Sequence, residues 1–377
     1  MAARERDFTA PTVQLLTPEG VLRPTAESEP YLPLIEALDD TALERFYRDM
    51  TISRRMDLAC ANLQRQGQLA LWVPSHGQEA AQVGSAHAAR PQDHLFPSYR
   101  EHIVGMIRGL DPVNILALLR GATLGGWNPE ENGNFHLYTL VLASQTLHAT
   151  GYAMGMQFDG ATATGDPETD AAVIVYYGDG ATSQGDASEA LVFASSYQTP
   201  QVFFIQNNQW AISVPVSRQS RSPLAGRGHG FGMPGVRIDG NDVLASYAVT
   251  RQSLEEARGG HGPSLIEAVT YRMGAHTTAD DPTKYRTDGE VEYWAERDPI
   301  TRYRTWLEGR GASAAFFDEV DAEAAEVAAD LRRRALDLPA PTREKIFAHV
   351  YSEPHPLMKE EAAWLDAYES GFEGGAA

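Results

Sequence analysis

Two stretches decide the fold: AAVIVYYGDG at residues 171–180 and QVFFIQNNQW at residues 201–210. Each holds an unbroken apolar run rich in β-branched and aromatic residues, and each run ends at Gly or Asn. Such runs read as strands buried on both faces. Between them, Ala187, Ala190, Leu191 and Ala194 form one stripe of a helix over residues 186–197. Strand, helix, strand predicts a right-handed crossover between neighbouring parallel strands whose carboxyl ends share one edge of the sheet.

Working outward, the alternation continues. Val236-Arg237-Ile238 reads as a strand, Val243 to Arg258 as a helix stopped by Gly259-Gly260, and Ser264–Tyr271 as another strand. The expected fold class is α/β, a doubly wound, mostly parallel sheet with helices on both faces. Upstream, Asp39-Asp40 can cap a helix whose face shows Leu43, Phe46, Met50, Met56, Leu58 and Leu63, with Gly67 as its stop. Gly77-Gln78-Glu79-Ala80 opens a small-residue helix, and another is expected around Ser144–Met156. Leu95–Arg100 reads as a loop. Residues 121–138, rich in Gly and Asn, read as a mobile loop. Pro11, Pro18, Pro24, Pro30 and Pro33 make residues 1–38 an extended arm that lies over another surface or, in the alternative, over the chain's own core. Ala322–Leu336 and Lys359–Tyr368 are expected helices with charged faces. The division expected is an arm and first helix over 1–50, an α/β domain over 51–290 and a helical region packed on it over 291–377.

Composition narrows the function. The chain has 377 residues, 43% of them hydrophobic, with 31 Lys+Arg against 51 Asp+Glu and a net charge of −20. That is enough apolar material for a core. The acidic balance argues against nucleic acid or an anionic membrane surface as partner. Cys60 is the one cysteine, which excludes a Cys-cluster metal site. The start, MAARERDFTA, has no apolar run after its charges, and no uncharged apolar stretch is long enough to span a bilayer. A cytoplasmic protein is expected.

The chemistry is carried by Gly178-Asp179-Gly180, followed after 26 residues by Asn207-Asn208. The crossover brings Asp179 and Asn208 together at the strand tips, where open α/β sheets bind ligands. One carboxylate plus one amide carbonyl is hard-oxygen ligation, suited to magnesium or calcium, with a phosphate-bearing ligand completing the shell. The flanking glycines let the backbone approach a diphosphate, and a helix from about residue 182 is expected to point its positive end there. Alone, either pattern is an ordinary turn; the joint spacing favours the ligand reading. Gly230-Phe231-Gly232-Met233-Pro234-Gly235 also fits a dinucleotide fingerprint, but it precedes a strand-like run instead of following one, so it is rejected.

The spacing of these two motifs is that of the thiamine diphosphate motif. The surrounding text, GDGATSQGDASEALVFASSYQTPQVFFIQNNQWAIS, resembles the alpha subunit of the decarboxylating component of 2-oxo acid dehydrogenase complexes. The resemblance extends over about residues 30–350. It includes GQEA at 77–80, FPSYREH at 96–102, DGNDVLASY at 239–247 and YRMGAHTTADDPTKYR at 271–286. It implies magnesium on Asp179, the Asn208 side chain and the main-chain carbonyl of Trp210. It implies thiamine diphosphate held by Tyr99, Arg100, Leu142, Gly178, Asp179, Gly180, Ala181, Asn208, Trp210, Ile212 and His276, with Ile212 propping the cofactor in its bent shape. Trp210 stands where the family usually has Tyr or Phe. Gln206 stands where some branched-chain relatives carry Arg. His276 would sit beside the cofactor as the catalytic residue. Thr277 falls where mitochondrial relatives carry a regulated Ser.

The activity so implied is oxidative decarboxylation of a 2-oxo acid with acyl transfer to a lipoyl group. Pyruvate is the expected substrate, through a resemblance to the pyruvate enzymes of Gram-positive type. A branched-chain 2-oxo acid or acetoin enzyme is the alternative, and a non-catalytic nucleotide-binding scaffold the alternative of another class. No Glu here stands out as the carboxylate that activates the aminopyrimidine ring. The resemblance assigns it to a separate beta subunit, and the chain is expected to be too short to hold both halves of such a site. Two alpha and two beta subunits, with a dihydrolipoyl acyltransferase component as further partner, are the implied assembly.

Overall fold

The computed structural model describes residues 12–372 except Leu124, so residues 1–11 of the expected arm lie outside the described residues. The strands are β1 (His94–Phe96), β2 (Val173–Gly178), β3 (Gln201–Asn207), β4 (Trp210–Ala211), β5 (Val214–Pro215), β6 (Gly235–Asp239) and β7 (Ser264–Val269). Five of them form one sheet in the order β1-β2-β3-β7-β6, and every pairing in it is parallel. All carboxyl ends therefore lie on one edge. β4 and β5 form a small antiparallel hairpin of their own.

Alternate residues of the central strands serve two cores. Ile174, Tyr176, Val202, Phe204 and Ile266 face Met56, Leu63, Ala245 and Val249. Val173, Val175, Tyr177, Phe203 and Leu265 face Ala149, Ala153, Ala187 and Leu191. Helices thus cover both faces, and strands buried on both sides need the unbroken apolar runs that the sequence has. The helix Val243–Arg258 has the expected bounds, and Asp242 caps it through the amides of Leu244 and Ala245.

Other expectations change. β1 overlaps the start of the stretch expected as a loop, Leu95–Arg100. Three residues ahead of Pro97 give too short a pattern to be read as a strand, and pairing with β2 supplies what the pattern lacks. Part of the stretch 121–138, expected to be mobile, is anchored in the core. Trp127 is buried, stacks on Phe135 and donates from Nε1 to the Phe135 carbonyl at 2.9 Å.

Residues 12–16 of the arm, expected over another surface or, in the alternative, over the chain's own core, pack on this chain. Val13 pairs with Ile238 at the β6 edge, and the amides of Leu15 and Leu16 both donate to Asp242 at 2.7 Å. The helix capped by Asp39 runs unbroken through residue 50, from Asp40 to Arg65. Leu58, expected on its apolar face, is exposed. The helices Pro299–Gly309 and Ala314–Leu336 share a core with it through Tyr303, Phe317, Phe46 and Tyr47. Among the described residues no helix is long and apolar enough to cross a membrane.

Candidate functional site

β2 and β3 are in register, with Gly178 opposite Gln206. Asp179 follows Gly178 directly and Asn208 stands two residues beyond Gln206, so the adjacent strand tips bring both side chains to one edge of the sheet. They open onto a cavity of about 260 Å³. Every residue singled out for the cofactor lines it: Tyr99, Arg100, Leu142, Gly178, Asp179, Gly180, Ala181, Asn208, Trp210, Ile212 and His276.

Asp179 is 1% exposed and accepts from Gln219 Nε2 at 2.9 Å. Burial pushes its carboxyl up to about 6. Asn208 donates from Nδ2 to Gln78 Oε1 and accepts from the Trp210 amide, both at 3.2 Å. The Trp210 carbonyl accepts from Arg272 Nη1 at 3.1 Å, which leaves a second lone pair on that oxygen. Gln78 Nε2 and Gln145 Oε1 are buried without a protein partner, and both side chains line the cavity.

The two glycines serve different ends. A Cβ at Gly180 would lie 2.7 Å from the Ala211 Cβ, so this glycine lets the hairpin approach. A Cβ at Gly178 would meet nothing within 4 Å. Protein packing does not demand a glycine there, and the space it leaves belongs to the cavity. The helix expected from about residue 182 begins at Gly185 instead. Thr182 folds back onto the Asp179 carbonyl through both its amide and its hydroxyl, which makes Gly180–Ser183 a 3-10 turn.

The hairpin β4–β5 carries backbone strain. Gln209 and Ile212 have φ of 74° and 53°, and Ile212 is 53% exposed. A β-branched residue in the left-handed region is an outlier. Arg272 holds this geometry. Its amide continues the β7 pairing onto the Asn208 carbonyl, and its fully buried side chain reaches the carbonyls of Trp210 and Ile212 and the Tyr285 hydroxyl. Tyr285 in turn donates to Asp280, which accepts from the His276 amide at 2.8 Å. Asp281 caps the turn Pro282–Lys284. The acidic pair therefore organises the loop.

Burial, with Arg100 and Arg272 nearby, holds His276 down at about 4, so its imidazole is neutral at physiological pH. Arg100 Nη2 faces its Nδ1 at 3.4 Å. A guanidinium only donates, which favours the tautomer with the proton on Nε2. Arg100 also donates to the carbonyls of Pro74 and His276. Arg272, Gln78, Glu101 and Gln219 escaped the reading of the sequence. Arg272 and Glu101 stand inside stretches that carry the resemblance, but only their contacts give them a role. Gln219 has no signal at all.

The sequence matches the dehydrogenase E1 component family over residues 47–342. The chain belongs to that family. Among relatives of this E1 chain, the 3-methyl-2-oxobutanoate dehydrogenase subunit alpha of Mycobacterium tuberculosis (strain ATCC 25618 / H37Rv) is 45% identical over 357 residues, covering 94% of this chain and 93% of the relative. The pyruvate dehydrogenase E1 component subunit alpha of Acholeplasma laidlawii is 38% identical over 338 residues, 88% and 93% of the two chains. That of Staphylococcus aureus (strain Mu50 / ATCC 700699) is 38% identical over 280 residues, 74% and 73%. The E1 chain is thus an alpha subunit of 2-oxo acid dehydrogenase type, an enzyme component and not a nucleotide-binding scaffold.

Proposed function

We propose that this chain is the alpha subunit of a branched-chain 2-oxo acid dehydrogenase, and that its cavity holds the diphosphate half of thiamine diphosphate through magnesium. The observation that carries the reading is the convergence of Asp179, Asn208, the Trp210 carbonyl, Arg100 and His276 on one cavity at the strand tips. Carboxylate, amide and peptide oxygens are hard donors, as magnesium requires. Among the described residues no group of three or more His, Cys, Asp or Glu could hold a metal ion. A cation here would draw on a single carboxylate and take further oxygens from phosphate. The two unpartnered glutamine atoms and the open face of Gly178 fit a polar ligand that approaches closely.

When bound, thiamine diphosphate supplies the electron sink for loss of carbon dioxide from the 2-oxo acid. Arg100 offers its guanidinium to the diphosphate. The Leu142 backbone and Tyr99 border the aminopyrimidine side. Ile212, rigid in its strained backbone, is the wedge that sets the cofactor's bend. His276 presents a neutral imidazole with its proton on Nε2 toward the reacting end.

Leu140, Val141, Leu142, Ile212 and Val214 leave large apolar side chains exposed around the hairpin and the loop before the helix Ser144–Phe158. A beta subunit carrying the carboxylate for the aminopyrimidine would cover them, in an assembly of two alpha and two beta subunits. The lipoyl group of a dihydrolipoyl acyltransferase component would receive the acyl group.

The preference for a branched-chain acid rests on the 45% relative set against those at 38%. Pyruvate, the substrate expected from the sequence, is the second reading, favoured by Gln206, a neutral side chain where some branched-chain relatives carry Arg. Co-expression with a beta subunit, followed by decarboxylation assays on pyruvate and 3-methyl-2-oxobutanoate, decides between them. Asp179→Ala should abolish magnesium-supported cofactor binding while the chain stays folded. Unchanged affinity in that variant would sink the ligand assignment.

A further inference from the structure

Two buried carboxylates, Asp57 behind the cavity and Glu101 in its lining, have no role in the chemistry proposed above. Asp57, in the middle of the helix Asp40–Arg65, is 3% exposed. Its Oδ1 accepts from Trp72 Nε1 at 2.8 Å and the Ser75 amide at 3.0 Å, and its Oδ2 from the His76 amide at 3.2 Å. Those bonds hold the turning segment 72–76, two of whose carbonyls receive other side chains. Val73 accepts from His102 Nε2 at 2.8 Å, and Pro74 accepts from Arg100 Nη1.

Glu101, 1% exposed, does the same on the other side. Its Oε2 accepts from the amides of Ser98 at 2.8 Å and Arg100 at 3.2 Å, and its Oε1 from the Ser98 hydroxyl and Gln206 Nε2. Burial raises both carboxyls above their ordinary range, so each is held at a cost.

Resting on the functional reading above, we propose that Asp57 and Glu101 are positioning residues that fix Arg100 from both ends for an anionic diphosphate, Glu101 through its peptide and Asp57 through the turn that receives its guanidinium. The chemistry explains why carboxylates stand here. Every group aimed at them, apart from the Ser98 hydroxyl, is an N–H that only donates, and a carboxylate can accept on both oxygens. Each acts on Arg100 without contacting its guanidinium, whose own acceptors are the neutral carbonyls of Pro74 and His276 and the neutral His276 ring. The arginine's charge therefore stays uncancelled by direct contact and is oriented before any ligand arrives.

Asp57→Asn and Glu101→Gln keep the shape but turn an amide NH₂ toward N–H donors. The test is a pair of double-mutant cycles with Arg100→Met, in the full chain co-purified with its beta subunit. Thiamine diphosphate affinity is read by ligand titration at saturating magnesium, beside melting curves without ligand. Each single variant should weaken binding on the order of tenfold, the equivalent of one hydrogen bond to a charged group. In the Arg100→Met background the same substitution should cost nothing further, because its effect runs through Arg100. The KM for the 2-oxo acid should stay unchanged. Losses that simply multiply in the double variants would overturn the inference, as would full affinity in either single variant. If Asp57→Asn does not fold, the Glu101→Gln cycle decides alone. Absence of binding by the unmodified assembly would overturn the functional reading itself, and this inference with it.

Discussion

Replacing Ile212 by Gly should leave the chain's stability almost unchanged while crippling cofactor use. The backbone at Ile212 has φ of 53°, a conformation that costs an L-residue about 1–2 kcal/mol and glycine nothing. Full burial of an isoleucine side chain contributes roughly 1.5–3 kcal/mol. Ile212 is 53% exposed, so about 1 kcal/mol is at stake. Glycine's extra freedom in the unfolded chain costs about 0.5–1 kcal/mol. The relief and the two losses nearly cancel, and the unfolding free energy should stay within about 1 kcal/mol of the unsubstituted chain. Ile212→Ala sharpens the test. Alanine loses most of the packing and keeps most of the strain, so here glycine should be at least as stable as alanine, the reverse of their usual order. Urea unfolding of the three chains without ligand measures this. In the assembly with the beta subunit, both variants should lose at least about tenfold in decarboxylation at saturating cofactor, since the missing wedge acts on the bound geometry. If glycine destabilises by more than about 2 kcal/mol and falls below alanine, the side chain carries stability and not strain, and the reasoning fails.

Gly178→Ala should change the unfolding free energy by less than about 1 kcal/mol, because the new Cβ meets no protein atom and φ is not positive there. The same methyl enters the ligand's space, so thiamine diphosphate affinity should fall, read by titration; undiminished affinity would remove the diphosphate from this face. Arg272→Lys should cost about 2–4 kcal/mol in urea unfolding, since one ammonium cannot serve the Trp210 and Ile212 carbonyls and the Tyr285 hydroxyl together. A loss under about 1 kcal/mol would show that the hairpin holds itself.

Acid should destabilise the fold through His102. Burial lowers its pKa from 6.5 to about 4. Between those values the unfolded chain binds the proton and the folded one does not, so stability is complete above pH 6.5 and falls as the pH drops toward 4. From pH 6.5 to 5 the loss from this group is about 2 kcal/mol. His102→Asn, less stable at neutral pH, should show a visibly flatter pH dependence; parallel curves would refute the assignment.

What the sequence made legible follows from where the information is local. The tips of β2 and β3 were readable because two apolar runs, a helix between them and a parallel register are set by neighbours in the chain. His276 was readable because its flanking residues match a family text. β1 was not, since three residues next to a proline hold no periodicity and become a strand by pairing with β2. Asp57 was not, because its partners Trp72, Ser75 and His76 are amides and an indole whose convergence on one carboxylate exists only after folding. The strain at Ile212 was hidden for a stronger reason. Local preference forbids a β-branched residue with positive φ, so a reading based on preference points away from it. Arg272 imposes that conformation from 60 residues downstream in the chain.

A chain with a net charge of −20 that is proposed to hold a diphosphate poses an electrostatic question. The surface charge is largely screened beyond about 8 Å at physiological ionic strength, so it neither draws the ligand in nor keeps it out at the site. Attraction must come from charges within contact distance and shielded from water. Arg100, 6% exposed and lining the cavity, is such a charge, and Arg272, fully buried, supports it from behind the hairpin. Burial lowers the affinity of both for their protons, a measure of how poorly they are solvated. A poorly solvated cation gains more from an anionic ligand than a hydrated one does, because less water is given up on contact. The surrounding carboxylates set its strength. Asp179, Asp57 and Glu101 all act on Arg100 through space, yet they spend their hydrogen bonds on amides and side-chain donors. Had any of them been ion-paired with its guanidinium, the diphosphate would have had to displace it. Keeping acid close enough to shape the arginine's surroundings, and turned so that it does not neutralise it, reconciles an acidic protein with the anion-binding role proposed for this cavity.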